Sequence, residues 1–322
     1  MTDAPAAVDA PAAVDARAGL DPRARRFLDL VAAAGKTRQG APTLQELRVA
    51  TDGLAAFAAP PPPAERRDDV VAAGRIAVRF YAPLGAADAP LPALVYFHGG
   101  GWVSGGIASH DAICATLSAL GLCRVIAVDY RLAPEHRFPS ALDDGRAVLE
   151  AIAARPRRHG VDPKRLGVAG DSAGANLAVV LAREATTPLA LQLLLCPVLS
   201  PLARSRAERA SGWLIEERTM AAYWDGYRVP GLSPDDPRVA PLSGGGFARM
   251  PPALVHVAEF DPLRDEGAAY AAALTAAGVR ADLTVHAGLI HHFYGLGGVV
   301  PAGQAAFGRV CDGLRRAWAV GA

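Results

Sequence analysis

The sequence predicts an α/β fold in which a mostly parallel sheet is covered by helices on both faces. Three observations carry this expectation. Short, unbroken apolar runs recur at 93–97, 124–128, 166–169, 190–195 and 253–258, the pattern of strands buried on both sides. Helical-length segments lie between most of them, at about 107–119, 139–154, 173–184, 263–277 and 301–318, so strand and helix alternate as they do over a parallel sheet. Residues able to share one site are spread from 98 to 292, which requires that whole stretch to fold around one centre. A chain of 322 residues buries roughly three quarters of its unfolded surface, ample for a stable core.

Taken in order, residues 4–9 (Ala-Pro-Ala-Ala-Val-Asp) recur at 10–15. Small residues and proline bury too little surface to offset ordering, so 1–20 reads as a disordered, low-complexity leader. Asp21-Pro22 is a helix start, and Phe27, Leu28, Leu30 and Val31 give the segment up to Gly35 an apolar face. A second helix is expected from about Thr43 to Phe57, ended by the stiff Pro60–Pro63 linker. Ile76, Val78 and Phe80 then alternate with Ala77, Arg79 and Tyr81, as a strand does, and 282–285 shows a weaker run. Between Pro201 and Pro251 the alternation fails. That stretch holds Trp213, Tyr223, Trp224 and Tyr227 before a Pro- and Gly-rich segment. It reads as an insertion over the strand ends that, with the helices of 21–60, forms a cap on a domain spanning 61–322.

Charge excludes one class of function. The 33 basic and 32 acidic residues nearly cancel and no dense basic run occurs, so nucleic-acid binding has no electrostatic footprint. The N-terminus lacks the basic start and apolar stretch of a secretory signal. The run from Leu189 to Leu199 contains Gln192 and Pro197 and is too short to span a bilayer. Cys114, Cys123, Cys196 and Cys311 have neither metal-site spacing nor the density of a disulfide scaffold, which points to free thiols and a cytoplasmic protein. No metal or cofactor motif is present. Self-association, a homodimer included, is left open.

Four separated stretches supply parts of one chemistry. Gly170-Asp171-Ser172-Ala173-Gly174 fits G-x-S-x-G, and it follows a strand and opens a helix, as the sharp turn presenting a serine nucleophile requires. A serine hydroxyl needs a base. His291 and His292 follow the last apolar strand and either can serve, while His110, His136, His159, His256 and His286 read as structural or surface residues. The base needs a carboxylate to fix its tautomer. Asp261 comes at the carboxyl end of strand 253–258, where sites in such sheets gather, and Asp265 and Glu266 are alternatives a turn later. Finally, Gly99-Gly100-Gly101 follows strand 93–97 and is opened by His98. Three glycines let backbone N–H groups turn toward a ligand, and with the N–H of Ala173 they can hold an oxyanion.

These residues resemble the hormone-sensitive-lipase-like branch of the α/β-hydrolases, the bacterial esterases with an HGGG loop. The likeness spans about residues 70–318 and includes Asp129-Tyr130-Arg131-Leu132-Ala133-Pro134-Glu135 running on to Phe138-Pro139. It implies an α/β-hydrolase sheet of about eight strands with a helical cap, Ser172 as nucleophile, and Asp261, the first Asp of Asp-Pro-Leu, as acid. The family's His-x-Phe motif falls on His291-His292-Phe293, which implies His291 as the base, with His292 where relatives often have glycine. The resemblance also implies Gly100, Gly101 and Ala173 as oxyanion donors. The activity it implies is hydrolysis of short- to medium-chain acyl esters, small-molecule substrates, through an acyl-enzyme. An amidase or arylformamidase is the alternative, since HGGGW also resembles the loop of arylformamidases. A non-catalytic receptor on this fold is a third reading, one that lacks the base.

Overall fold

The computed structural model describes residues 17–35, 41–86, 90–200 and 213–320. Eight strands form one sheet in the order β1-β2-β4-β3-β5-β6-β7-β8. They are β1 (Ala64–Val71), β2 (Ile76–Pro83), β3 (Leu91–Phe97), β4 (Arg124–Val128), β5 (Val161–Asp171), β6 (Gln192–Leu195), β7 (Ala253–Phe260) and β8 (Ala281–Ile290). From β4 to β8 all neighbours are parallel, whereas β2 runs antiparallel to both β1 and β4. The expected mostly parallel sheet is therefore present.

Each central strand is buried on both faces, and its alternation divides the core in two. Ala93, Val95 and Phe97 of β3 pack with α4 (Ser140–Ala154), α5 (Ala173–Glu184) and α7 (Arg264–Ala276). Leu94 and Tyr96 point the other way, toward α3 (Asp111–Gly121) and α8 (Pro301–Val320). Each such fully buried side chain contributes about 1.5–3 kcal/mol, so the apolar runs that marked the strands also hold the two helical layers to them. Among the described residues no helix is long and apolar enough to cross a membrane.

Strand β1 follows the Pro60–Pro63 linker, in a stretch for which the sequence reading expected no element. Its sequence, AERRDDVV, has no apolar alternation. It is an edge strand whose charges are paired instead: Arg79 of β2 bonds Asp68, Arg67 bonds Asp69, and Arg66 bonds Asp111. An edge needs no buried face, and charged edges discourage pairing with other chains.

α1 (Pro22–Gly35) and α2 (Leu44–Leu54) form as expected. Asp21 caps α1 through the N–H groups of Arg23 and Ala24, and Thr43 and Glu46 make a capping box on α2. Most of the leader lies outside the described residues. Its last four residues are placed, however, and Leu20 is buried in the core, so the packed structure includes residues before Asp21. Residues 201–212 of the expected insertion also lie outside the described residues. The remainder contains α6 (Glu217–Tyr227) and short 3-10 turns.

Candidate active site

β5 ends at Asp171 and α5 begins at Ala173, leaving Ser172 alone on the turn with φ 51° and ψ −118°. A non-glycine residue in this region stores about 1–3 kcal/mol of strain and persists only where its surroundings hold it. They do so here: Ser172 N–H donates to Leu195 O at 2.9 Å, and its carbonyl accepts from the N–H groups of Asn176 and Val198, both at 3.2 Å. The turn closes because Gly174 lies against the carbonyls of Phe97 and His98, where any Cβ would overlap them.

His291 and Asp261 stand at the ends of the two neighbouring strands β8 and β7 and are joined, Nδ1 to Oδ2, at 2.7 Å. The other oxygen of Asp261 accepts from Leu263 N–H at 2.8 Å, and the carboxylate is fully buried. The rival acids are engaged elsewhere. Asp265 pairs with Arg264, and Glu266 accepts from the N–H groups of Leu199 and Ser200, holding the loop after β6. His292, turned by a φ of 63°, stacks edge-on against Tyr294 and His110. Burial drives its pKa down to about 3, so it is neutral. Thus the two adjacent histidines differ in their partners, and His291 holds the carboxylate.

The glycine loop has both of its peptide planes fixed. Gly99 O faces His98 Nδ1 at 2.8 Å. Burial lowers the His98 pKa to about 3, which leaves a neutral ring that donates from Nδ1. Gly100 O accepts from the N–H groups of Val103 and Ser104 and from Ser104 Oγ at 2.7 Å. Because a peptide N–H points opposite to its carbonyl, these bonds aim the N–H groups of Gly100 and Gly101. Gly101 has φ 62° and carries the Tyr223 ring directly on its Cα, so a side chain there is excluded twice over. The Asp129–Pro139 segment supports the loop from behind. Tyr130 stacks on the His98 ring at 4.2 Å and donates to His98 O at 2.7 Å.

One central group was not legible in the sequence. Asp171, buried beneath the turn, accepts from Tyr96 Oη at 2.6 Å and Gly99 N at 2.9 Å through one oxygen. Its other oxygen meets Tyr294 Oη at 3.1 Å and His110 Nε2 at 3.3 Å. Burial opposes its charge, but His110, His292 and Tyr96 outweigh burial and hold its pKa below the ordinary carboxylate range. This carboxylate touches the residue before Gly100, adjoins Ser172, and meets the segment that follows His291. The G-x-S-x-G pattern marks position 171 without revealing what it bonds.

Ser172, His291, Gly100 and Gly101 open together into a cavity of about 790 Å³ walled by α1, α2, residues 213–219 and Tyr223 of α6. A second hollow of about 890 Å³, beside β1 and β2, is bordered by Asp52, Asp68, Asp69 and Asp129 and contains none of these groups. Cys196 Sγ lies with donor atoms of Asp261 and His291, all within 4.8 Å of one another, but that acid and imidazole are already bonded to each other. Chemically, the cavity brings together a strained, held serine, an imidazole with its carboxylate, and a set of aimed N–H donors.

Comparison with known proteins shows the family. Residues 94–295, more than half of the chain, match the alpha/beta hydrolase fold family. The carboxylesterase NlhH of Mycobacterium tuberculosis is 39% identical over 252 residues, covering 75% of this chain and 78% of that protein. The ethyl acetate hydrolase of Pseudomonas putida is 38% identical over 232 residues, covering 70% and 73%. Among solved structures, the Ser161Ala mutant of LAE6, an alpha/beta hydrolase enzyme from the metagenome of Lake Arreo, superposes with a TM-score of 0.85 at 35% identity, covering 93% of this chain and 98% of that one.

Proposed function

The chain belongs to the hormone-sensitive-lipase-like α/β-hydrolases, and from that premise we propose that it is a carboxylesterase cleaving short- to medium-chain acyl esters with Ser172, His291 and Asp261. The observation that carries this reading is the bond of Asp261 to His291, which lines the same cavity as Ser172. A receptor that only bound a ligand would have no use for that pair.

In the proposed reaction His291 Nε2 takes the Ser172 hydroxyl proton as Oγ attacks the acyl carbon. The carbonyl π electrons move to oxygen, which is met by the N–H groups of Gly100, Gly101 and Ala173. Each such donor is worth about 3–4 kcal/mol of barrier, and Ala173, the first residue of α5, adds the positive end of the helix dipole. Asp261 holds the His291 Nδ1 proton and stabilises the imidazolium. Collapse of the intermediate breaks the ester C–O bond, and His291 returns the proton to the departing alcohol. Water then repeats the sequence on the acyl-enzyme and releases the acid.

We assign α1, α2 and α6, with the 201–250 insertion, to a cap that walls the acyl and alcohol pockets. A cavity of about 790 Å³ suits a small ester more than a long lipid chain. The four cysteines, all unpaired and buried, support a cytoplasmic location. The test is turnover of p-nitrophenyl esters of graded chain length by wild type and Ser172→Ala. The mutant is expected to lose on the order of 10⁴–10⁶ in kcat while remaining folded. Substantial turnover by folded mutant, or an optimum at long chains, overturns the assignment.

A further inference from the structure

The peptide that aims the Gly101 N–H is held from outside the loop as well as from within it. Ser104 Oγ donates to Gly100 O at 2.7 Å and lies 2.8 Å from Thr51 Oγ1 on α2. Thr51 Oγ1 also lies 3.0 Å from Leu47 O, to which it donates, so the one hydrogen of each hydroxyl has a backbone carbonyl as well as its neighbour within reach. Arg48, three residues earlier on the same face of α2, donates from Nε to Val103 O at 2.9 Å and from Nη2 to Ala133 O at 3.3 Å. Its guanidinium is itself fixed by Glu135. Tyr223 of α6 seats its ring on Gly101, with Thr51 and Ser104 in its electrostatic surroundings. Two helices that wall the cavity therefore converge on one four-residue stretch, 101–104, α2 through the Thr51–Ser104 hydroxyl pair and α6 through the Tyr223 ring.

We propose that Ser104, Thr51 and Tyr223 are positioning residues that couple the seating of the cap helices to the aim of the Gly101 N–H, so that the cap helps stabilise the transition state as well as shaping the pocket. This rests on the esterase reading above. The physical argument is that Gly100 O and Gly101 N–H belong to one rigid plane. A tilt of that plane leaves ground-state ester binding nearly intact but moves the donor away from where negative charge develops. A hydroxyl on α2 and a ring on α6 fix the tilt only when both helices are docked. The cluster thus makes the donor geometry depend on a closed cap.

The test uses the full chain with p-nitrophenyl butyrate and a trifluoromethyl ketone that mimics the tetrahedral oxyanion. Ser104→Ala is expected to lower kcat about 5- to 30-fold, less than removal of a whole oxyanion donor, with KM within twofold. Its affinity for the ketone should fall by the same factor as kcat/KM. Thr51→Val, on the helix rather than in the loop, should move the same quantities in the same direction, and the double variant should lose little beyond Ser104→Ala alone. A purely structural role would lower the melting temperature and leave ketone affinity tracking KM. The proposal fails if folded Ser104→Ala keeps kcat within twofold of wild type. It also fails if the two substitutions multiply as independent changes. Absence of ester turnover by wild type would instead overturn the esterase reading itself.

Discussion

Replacing Asp171 by alanine strips one carboxylate from beneath three segments of the site at once. Four donors lose their acceptor: the Tyr96 and Tyr294 hydroxyls, Gly99 N–H and His110 Nε2. Each buried donor left unpaired costs about 1–3 kcal/mol. Relief of the desolvated charge and entry of water into the vacated space offset part of that sum. The expected net loss of stability is about 3–6 kcal/mol. Asparagine should cost about half as much, since its oxygen retains two donors and the phenols can turn. Urea unfolding at pH 7 followed by fluorescence reads the stability, and kcat on p-nitrophenyl butyrate reads the site. We expect kcat to fall at least tenfold in the alanine variant, because Gly99, Ser172 and the segment after His291 all lose a shared anchor. The pH dependence has a definite sign. Asp171 is held below its unfolded pKa, so its contribution is complete above the ordinary carboxylate range and fades as pH falls through the folded value. The alanine variant should therefore show a smaller loss of stability below about pH 4. An alanine variant within 1.5 kcal/mol of wild type, with unchanged kcat, would refute the reasoning.

Three further outcomes are expected. His291→Ala should be nearly inactive and His292→Ala only weakened, measured as kcat/KM on the same ester; the reverse ranking moves the base by one residue. His98, His256 and His292 are each driven down to about pKa 3 by burial, so the unfolded chain binds protons that the folded one refuses and stability falls as pH drops from about 6.5 toward 3. At pH 5 each costs about 2 kcal/mol relative to neutral pH, and urea midpoints equal at pH 7 and pH 5 would contradict their burial as neutral groups. Deleting residues 1–16 should change little, whereas deletion through Phe57 should shift both KM and acyl-chain preference in material shown to be folded; an unaltered profile removes α1 and α2 from the binding site.

What the sequence disclosed, and what it withheld, divides along physical lines. The central strands were legible because burial on both faces forces unbroken apolar runs, and the placement of Ser172, Asp261 and His291 at strand ends because each lies in a local motif. β1 was hidden because an edge strand stabilised by ion pairs such as Arg79–Asp68 carries no hydrophobic period. The role of Asp171 was hidden for a different reason. Its partners at 96, 99, 110 and 294 are scattered over nearly two hundred positions, and a hydrogen bond leaves no periodic trace. The same holds for Thr51 and Ser104. Glu266 was offered as an alternative acid, whereas its carboxylate serves the loop after β6. The aromatic residues of 213–227 drew attention as an irregular stretch, and the stacking of Tyr227 on Trp102 at 4.6 Å is a contact only the folded chain discloses.

The imidazole at His291 is delivered by β8, an edge strand of the sheet, while Ser172, which lines the same cavity, sits near the middle. Edge strands open at lower free energy than central ones. β8 pairs only with β7, and its ladder is interrupted between Ala258 and Phe260, just before the strand reaches His291. Withdrawal of β8 would separate the proposed base from the proposed nucleophile while the other seven strands stayed paired. Ester turnover is therefore a local gauge: during refolding it should appear only when the last strand docks, and under mild denaturant it should vanish while most of the sheet still protects its amides from exchange.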